Sequence, residues 1–146
     1  MSVRSFTKIW LHFIWGTHNH EKILLGREFR KQISEYLFNY SVEKKIFMKT
    51  NYVNSDHVHA LIDLPTSISI EDVFHLFKRS SSNWINKNVN YKFSWSKGYA
   101  AFSVSESNEK RVSEYIKNQE DRHRNRSFAE EYDEFIKNHK VLIVKE

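Results

Sequence analysis

Two histidines stand two residues apart in the segment 57–64, HVHALIDL, whose residues alternate between two faces. On a β-strand residues i and i+2 share a face, so both imidazoles leave the same face, with their backbones about 6 to 7 Å apart. His57 and His59 can therefore converge on one ion, and neutral imidazole binds Mn, Zn or, less readily, Mg. The alternative interpretation is that two surface histidines happen to alternate.

A tyrosine and a glutamine, Tyr115 and Gln119, stand four residues apart in a stretch with helical periodicity. At this spacing the two side chains share a helix face and can present a phenol and an amide oxygen to the same place. The amide oxygen is then a candidate third metal ligand. The alternative is a half-buried aromatic beside Val112 and Ile116, followed by a solvated glutamine at the surface.

The elements that must position these side chains follow from periodicity and from capping residues. Residues 8–15, KIWLHFIW, are apolar on both alternating faces, which predicts a central strand covered on each side. Helices are predicted over 27–44, from a cap at Ser69 to about residue 86, from a cap at Ser105 or Ser107 to about residue 122, and from Ser127 onward. Further strands are predicted over 45–53, 57–64, 99–105 and 141–144.

Strands that alternate with helices in a chain of 146 residues indicate an α+β sandwich, with an antiparallel sheet backed by helices on one or both faces. A ferredoxin-like or RNA-recognition-like arrangement is the leading expectation. The length fits a single domain over residues 1–146. The 11 Phe, 7 Tyr and 4 Trp exclude a disordered chain.

The charge balance favours an anionic partner such as nucleic acid, since 23 Lys and Arg stand against 18 Asp and Glu. The chain has no cysteine, which excludes disulfides, thiolate ligands and a cysteine nucleophile. A metal must therefore be held by nitrogen and oxygen atoms. The first residues, MSVRSFTKIW, lack the features of a signal peptide, and no apolar run approaches the length that spans a bilayer. We therefore expect a cytoplasmic protein with no membrane partner.

Several segments together resemble the single-tyrosine HUH transposases of the smallest insertion sequences, which move as single-stranded DNA. They are KIWLHFIWGTHNH, DHVHALIDLP, VFHLFKRSSSNWIN, FSWSKGYAAFSVSES and, above all, VSEYIKNQEDRH. The resemblance covers nearly the whole chain. Its motifs are specific in combination, although each is weak alone.

The resemblance implies a role for each candidate residue. His57 and His59 would be the HUH metal ligands, Gln119 would complete the set, and the ion would be Mg²⁺ or Mn²⁺. Tyr115 would attack the scissile phosphate and leave a 5′-phosphotyrosine and a free 3′-hydroxyl. Relatives act as homodimers on hairpins near the ends of the element, so single-stranded DNA with hairpin ends is the expected partner in a prokaryotic cell, with the protein on the nucleoid when bound.

Basic residues near these elements are candidate phosphate contacts for such a strand. The predicted DNA-binding residues are Lys78, Arg79, Lys97, Lys117 and Arg122. The alternative for each is an ordinary solvated position. The other histidines, His12 among them, have no spacing that suggests a site and are expected to be structural or exposed.

Two other functions remain open from the sequence. One is a non-catalytic or domesticated module that binds single-stranded nucleic acid through its basic face. The other is a metal-independent cyclic phosphodiesterase, which needs two His-x-Ser/Thr motifs, whereas this chain offers a single HVH.

Overall fold

The computed structural model describes residues 5–122 and 126–139, and within them strands and helices alternate along the chain. The strands are β1 (Trp10–Gly16), β2 (Phe47–Val53), β3 (His57–Asp63) and β4 (Ala100–Val104). The helices are α1 (Arg27–Glu43), α2 (Ile70–Asn88), α3 (Glu109–Lys117), the short α4 (Gln119–Arg122) and α5 (Phe128–His139). Two 3₁₀ turns lie at His18–His20 and Glu106–Asn108.

The strands form a four-stranded sheet in the order β2-β3-β1-β4, and every neighbouring pair is antiparallel. With helices between β1 and β2 and between β3 and β4, this is the β-α-β-β-α-β arrangement of ferredoxin-like folds. The predicted α+β class is confirmed. The prediction of a central, doubly covered strand is also confirmed, because β1 lies inside the sheet and all seven of its residues are buried.

The main hydrophobic core lies between one face of the sheet and helices α1 and α2. The side chains of β1 alternate, so Leu11, Phe13 and Trp15 enter this core while the residues between them face the other way. Across from them α2 contributes Phe74 and Phe77, and Trp15 packs against both rings. The strand β3 gives Val58, Ala60 and Ile62 to the same core.

The second face of the sheet is covered by α3 and α5, and it carries the histidine pair. One apolar cluster there joins Trp10 and Leu61 to Ile116 of α3. Another joins Ile14 and Phe102 to Phe128 of α5. The predicted His-x-His face is therefore enclosed between the sheet and the C-terminal helices.

Capping residues begin two of the helices as the sequence predicts. The Oγ of Ser69 accepts from the backbone N–H of Asp72 at 3.1 Å, and the Oγ of Ser127 accepts from that of Glu130 at 3.2 Å. The helix predicted up to residue 122 is instead interrupted at Asn118, whose backbone leaves helical geometry. The strand predicted over 141–144 lies outside the described residues.

The strand β2 starts two residues later than predicted. The reason is Lys45, whose φ of 60° lies in the left-handed region and ends the turn that follows α1. Among the helices of the described ranges, each is too short or too polar to cross a membrane.

Candidate metal and nucleophile site

The two histidines of the HVH segment are fully buried on one face of β3. Each is 0 % exposed, and their ring centroids are 5.0 Å apart. The shared face follows from the two-residue repeat of the strand, which sends Val58 into the opposite core. The alternative of two surface histidines is wrong, because neither ring reaches solvent.

The ring of His57 is held on three sides. Its Nδ1 donates to Oδ1 of Asp56 at 2.7 Å, and its Nε2 accepts from the amide of Asn54 at 3.1 Å. The ring of Phe128 stacks flat on it, with centroids 4.0 Å apart and planes inclined by 5°. Asp56 therefore fixes the tautomer with the lone pair on Nε2, which accepts from Asn54 here and which a bound cation would take in place of that amide.

The ring of His59 lies between two polar groups from other elements. Its Nδ1 is 2.8 Å from Nε2 of His12 on β1, and its Nε2 is 2.8 Å from Oε1 of Glu131 on α5. His12 is only 2 % exposed, so the sequence-based expectation missed its place in the site. Burial, followed by the neighbouring His59, lowers the pKa of His12 well below its ordinary value, and at neutral pH this imidazole is uncharged.

A carboxylate joins the histidine pair from the C-terminal helix. Glu131 is 2 % exposed, and one ligand atom each from His57, His59 and Glu131 all lie within 4.8 Å of one another. This set of two imidazoles and one carboxylate suits a divalent transition metal. No local pattern predicted Glu131, because the residue lies more than seventy positions from the HVH segment and its partners meet only in the fold.

The candidate nucleophile lies beside the same histidines. The ring of Tyr115 on α3 is half-buried, with its centroid 5.9 Å from that of His59 and 6.3 Å from that of His12. The ring of Phe135 on α5 packs against Tyr115 at 5.7 Å and against His12 at 5.3 Å. Both sequence-predicted groups, the HVH pair and the tyrosine, thus meet on one sheet face within one protomer.

Helix α3 is fastened to the sheet at both ends, and this fixes the position of Tyr115. Near its start, Nε1 of Trp10 donates to Oε2 of Glu106 at 2.6 Å, and Nζ of Lys49 lies 3.4 Å from Oε1 of Glu109. Near its end, the fully buried Ile116 packs against β1 and β3. The residue next to this anchor is Tyr115.

The glutamine that follows the tyrosine is buried, not solvated. Gln119 is 0 % exposed, at the start of α4, and its Nε2 donates to the backbone carbonyl of Tyr115 at 3.3 Å. The alternative of a solvated surface glutamine is wrong. Its role as a metal ligand stays a prediction.

The predicted DNA-binding residues lie on different sides of the molecule. Lys117 is exposed at the end of α3, and Lys97 is exposed in the loop whose Ser96 bonds to Gly16, the residue opposite His57. Lys78 and Arg79 belong to α2, which packs on the face of the sheet remote from the histidines. Arg122 is the last residue of α4, and its side chain lies outside the described part of the structure.

A small cleft gives access to the tyrosine. Its volume is about 120 Å³, and its walls are Tyr115, Arg126, Glu131, Glu134, Phe135 and Asn138. The guanidinium of Arg126 pairs with Glu134 at its rim. The cleft thus brings together the phenol, the candidate metal-binding carboxylate and an arginine whose charge is paired with Glu134.

The chain was compared with protein-family profiles, with solved structures and with curated proteins. The profile of the IS200-like transposases matches residues 5–119. A candidate transposase of Deinococcus radiodurans R1 has a similar structure, with a TM-score of 0.64 and 21 % identity over 82 % of this chain and 97 % of that one.

A tyrosine transposase associated with REP sequences, in complex with a REP hairpin, is also similar, with a TM-score of 0.60 and 13 % identity over 84 % of this chain and 73 % of that one. A comparison with curated proteins gives no significant match. The family profile spans β1 to α3 and ends at Gln119, so it contains the HVH pair and the tyrosine. The chain is a member of the IS200-like transposase family.

Proposed function

We propose that this transposase cuts and rejoins single-stranded DNA, with Tyr115 as the nucleophile and with a divalent cation held by His57 and His59. The observation that carries the proposal is the 5.9 Å separation of the Tyr115 and His59 rings within one protomer. A metal-bound phosphate at the histidines would lie within reach of the phenol. The same proximity favours a site assembled in cis.

The proposed step is an in-line displacement at phosphorus. The phenolic oxygen of Tyr115 bonds to the scissile phosphorus, the bond to the 3′-oxygen breaks, and that oxygen takes up a proton as the phenol loses one. A phenol with a pKa near 10 is a poor nucleophile at neutral pH, so its proton must be removed or shared. The resulting phosphotyrosine linkage is a new phosphodiester that retains the energy of the broken one, so a 3′-hydroxyl can reverse the step without ATP.

The side chains of His57, His59 and Glu131 could hold a divalent cation, and their chemistry favours one of the two expected ions, Mg²⁺ and Mn²⁺. A bound cation would withdraw charge from a nonbridging phosphate oxygen and stabilise the transition state. Of the two expected ions, two imidazoles and a carboxylate favour Mn²⁺ over Mg²⁺, which prefers oxygen ligands and retains water. We propose Glu131 as the third ligand, with Gln119 as the alternative that the family resemblance implies.

The bound strand is proposed to run along the face that holds Tyr115. Lys117 stands two residues beyond the tyrosine, and Lys97 stands at the end of the sheet where His57 lies. Lys78 and Arg79 would contact DNA only if the strand, or a hairpin stem beside it, continued round to α2. Hairpin-ended DNA remains the proposed substrate, which the hairpin in the REP-associated relative supports. A homodimer is also proposed on the resemblance.

The test is a covalent adduct between the protein and single-stranded DNA from the flanks of its gene. With Mn²⁺ or Mg²⁺ the wild-type protein should form a species that survives denaturing electrophoresis, and Tyr115→Phe should form none. Tyr91→Phe is the matched control, because this exposed tyrosine bonds to the carbonyl of Ile23, away from the histidines.

Two results would contradict the proposal. An adduct formed by Tyr115→Phe at the wild-type level would assign the nucleophile elsewhere. Salt-dependent binding of hairpin DNA by the wild-type protein, without any adduct in either metal, would favour the non-catalytic binding module.

A further inference from the structure

His12 occupies a position that the proposed chemistry does not yet explain. It is the polar residue in the middle of β1, between Trp10 and Ile14 on the histidine-bearing face. A buried imidazole in such a strand requires a hydrogen-bond partner. That partner is His59, whose Nδ1 lies 2.8 Å from Nε2 of His12.

A hydrogen bond between two ring nitrogens needs one N–H and one lone pair, so the pair has two arrangements. In the first, Nε2–H of His12 donates to Nδ1 of His59, and the proton of neutral His59 then sits on Nε2, where it faces Glu131 at 2.8 Å. In the second, Nδ1–H of His59 donates to His12, and Nε2 of His59 keeps its lone pair. Only the second arrangement allows Nε2 to bind a cation.

We propose that His12 is a positioning residue that accepts the Nδ1–H of His59 and so holds the Nε2 lone pair toward the metal. The inference rests on the metal site of the proposed function and adds a residue to it. Histidine ligands generally donate their second N–H to a fixed acceptor, which sets the tautomer and the ring orientation. For His57 that acceptor is Asp56 at 2.7 Å, and His12 supplies the equivalent for His59.

The two acceptors differ in charge, and this difference gives His12 a role beyond packing. Asp56 is a carboxylate that can only accept, so it holds His57 in one tautomer with or without metal. A neutral His12 can donate or accept, so His59 can place its proton on the side of Glu131 in the metal-free protein and on the side of His12 in the metal-bound protein. Metal binding should therefore shift both protons of the His12–His59 pair.

The first test compares variants by their affinity for Mn²⁺, measured by titration calorimetry on the full chain. His12→Phe removes the acceptor and keeps a flat ring, and the affinity should fall about 10- to 100-fold, the usual loss when the partner of a metal-binding histidine is removed. His12→Gln places an amide oxygen near the position of Nε2 and should recover most of the loss. His75→Phe is the control, since this exposed histidine lies on α2.

The possible outcomes distinguish the role of His12 from the existence of the proposed metal site. Wild-type protein that binds no Mn²⁺ would overturn both. Wild-type affinity in a folded His12→Phe would overturn the role of His12 and leave the metal site standing. An equal loss in His12→Phe and His12→Gln, both with wild-type melting temperatures, would also refute the role, because the acceptor would not matter.

A second measurement needs no variant and covers the case in which His12→Phe does not fold. Nitrogen-detected NMR of the histidine rings, with and without the diamagnetic ion Zn²⁺, reports which nitrogen of each ring carries the proton. Zinc should leave the proton of His59 on Nδ1 and that of His12 on Nδ1. A zinc-bound spectrum with the proton of His12 on Nε2 would contradict the proposal.

Discussion

Replacing Glu131 by Gln should separate the two candidates for the third metal ligand. The side chain is 2 % exposed, and its Oε1 lies 2.8 Å from Nε2 of His59, so water cannot readily replace the carboxylate as a ligand. Gln keeps the shape but replaces the carboxylate by a neutral amide. Removing only the partner of a metal-binding histidine costs about 10- to 100-fold in affinity, so a lost carboxylate ligand should cost about 100-fold, or about 2.7 kcal/mol.

The same loss should appear as a change in thermal stability. At a Mn²⁺ concentration of about 100 times the wild-type Kd, binding stabilises the folded wild type by about 2.7 kcal/mol, and the variant by about 0.4 kcal/mol. For a domain of this size the melting temperature should rise by about 8 °C in the wild type and by about 1 °C in Glu131→Gln. Differential scanning calorimetry with EDTA or Mn²⁺ measures both.

The matched control is Glu130→Gln, one position away on the exposed side of α5. It removes the same charge from the same turn and should keep the wild-type response to Mn²⁺. Refutation would come from a Glu131→Gln protein with the full rise in melting temperature. If Gln119→Leu then abolished the rise, the third ligand would be the glutamine that the family resemblance implies.

Two further predictions concern residues around His57. Gly16→Ala should destabilise the protein by about 1 to 3 kcal/mol, because the added methyl would lie 3.0 Å from the ring of Phe128 and 3.3 Å from the carbonyl of Asp56. Faster proteolysis within α5 and a lower melting temperature would show this destabilisation. An unchanged proteolysis rate and melting temperature would mean that α5 does not pack against Gly16. Asp56→Asn should weaken Mn²⁺ binding about 10- to 100-fold, because the amide can present its N–H₂ to Nδ1 of His57 and favour the tautomer with the proton on Nε2. A calorimetric affinity equal to that of the wild type would show that Asp56 does not set the tautomer of His57.

The part of the site that comes from one strand could be predicted from the sequence. The two-residue period of β3 is a local property, and it places His57 and His59 together whatever the rest of the fold. The helical spacing around Tyr115 is local as well. The break at Asn118 was missed because the helical spacing of Tyr115 and Gln119 crosses it, and such spacing does not report a single non-helical residue.

Glu131 and His12 could not be predicted in the same way, because their roles depend on contacts between distant elements. For Glu131 the sequence holds only a capped helix with several acidic residues, and nothing distinguishes the buried one. His12 did leave a signal. A titratable residue within a strand predicted to be covered on both faces must find a polar partner, and that requirement alone marks it as a member of a buried network.

The seven residues of β1 limit how this protein can be engineered. Leu11, Phe13 and Trp15 fill the main core while His12, between two of them, touches His59, a proposed metal ligand. A volume change on the core side of this strand would move the backbone that carries His12, so screens for greater stability would return variants with impaired chemistry. Substitutions on the solvent-facing turns of α1, which carry none of the proposed DNA contacts, avoid that coupling, and libraries built there should retain activity more often.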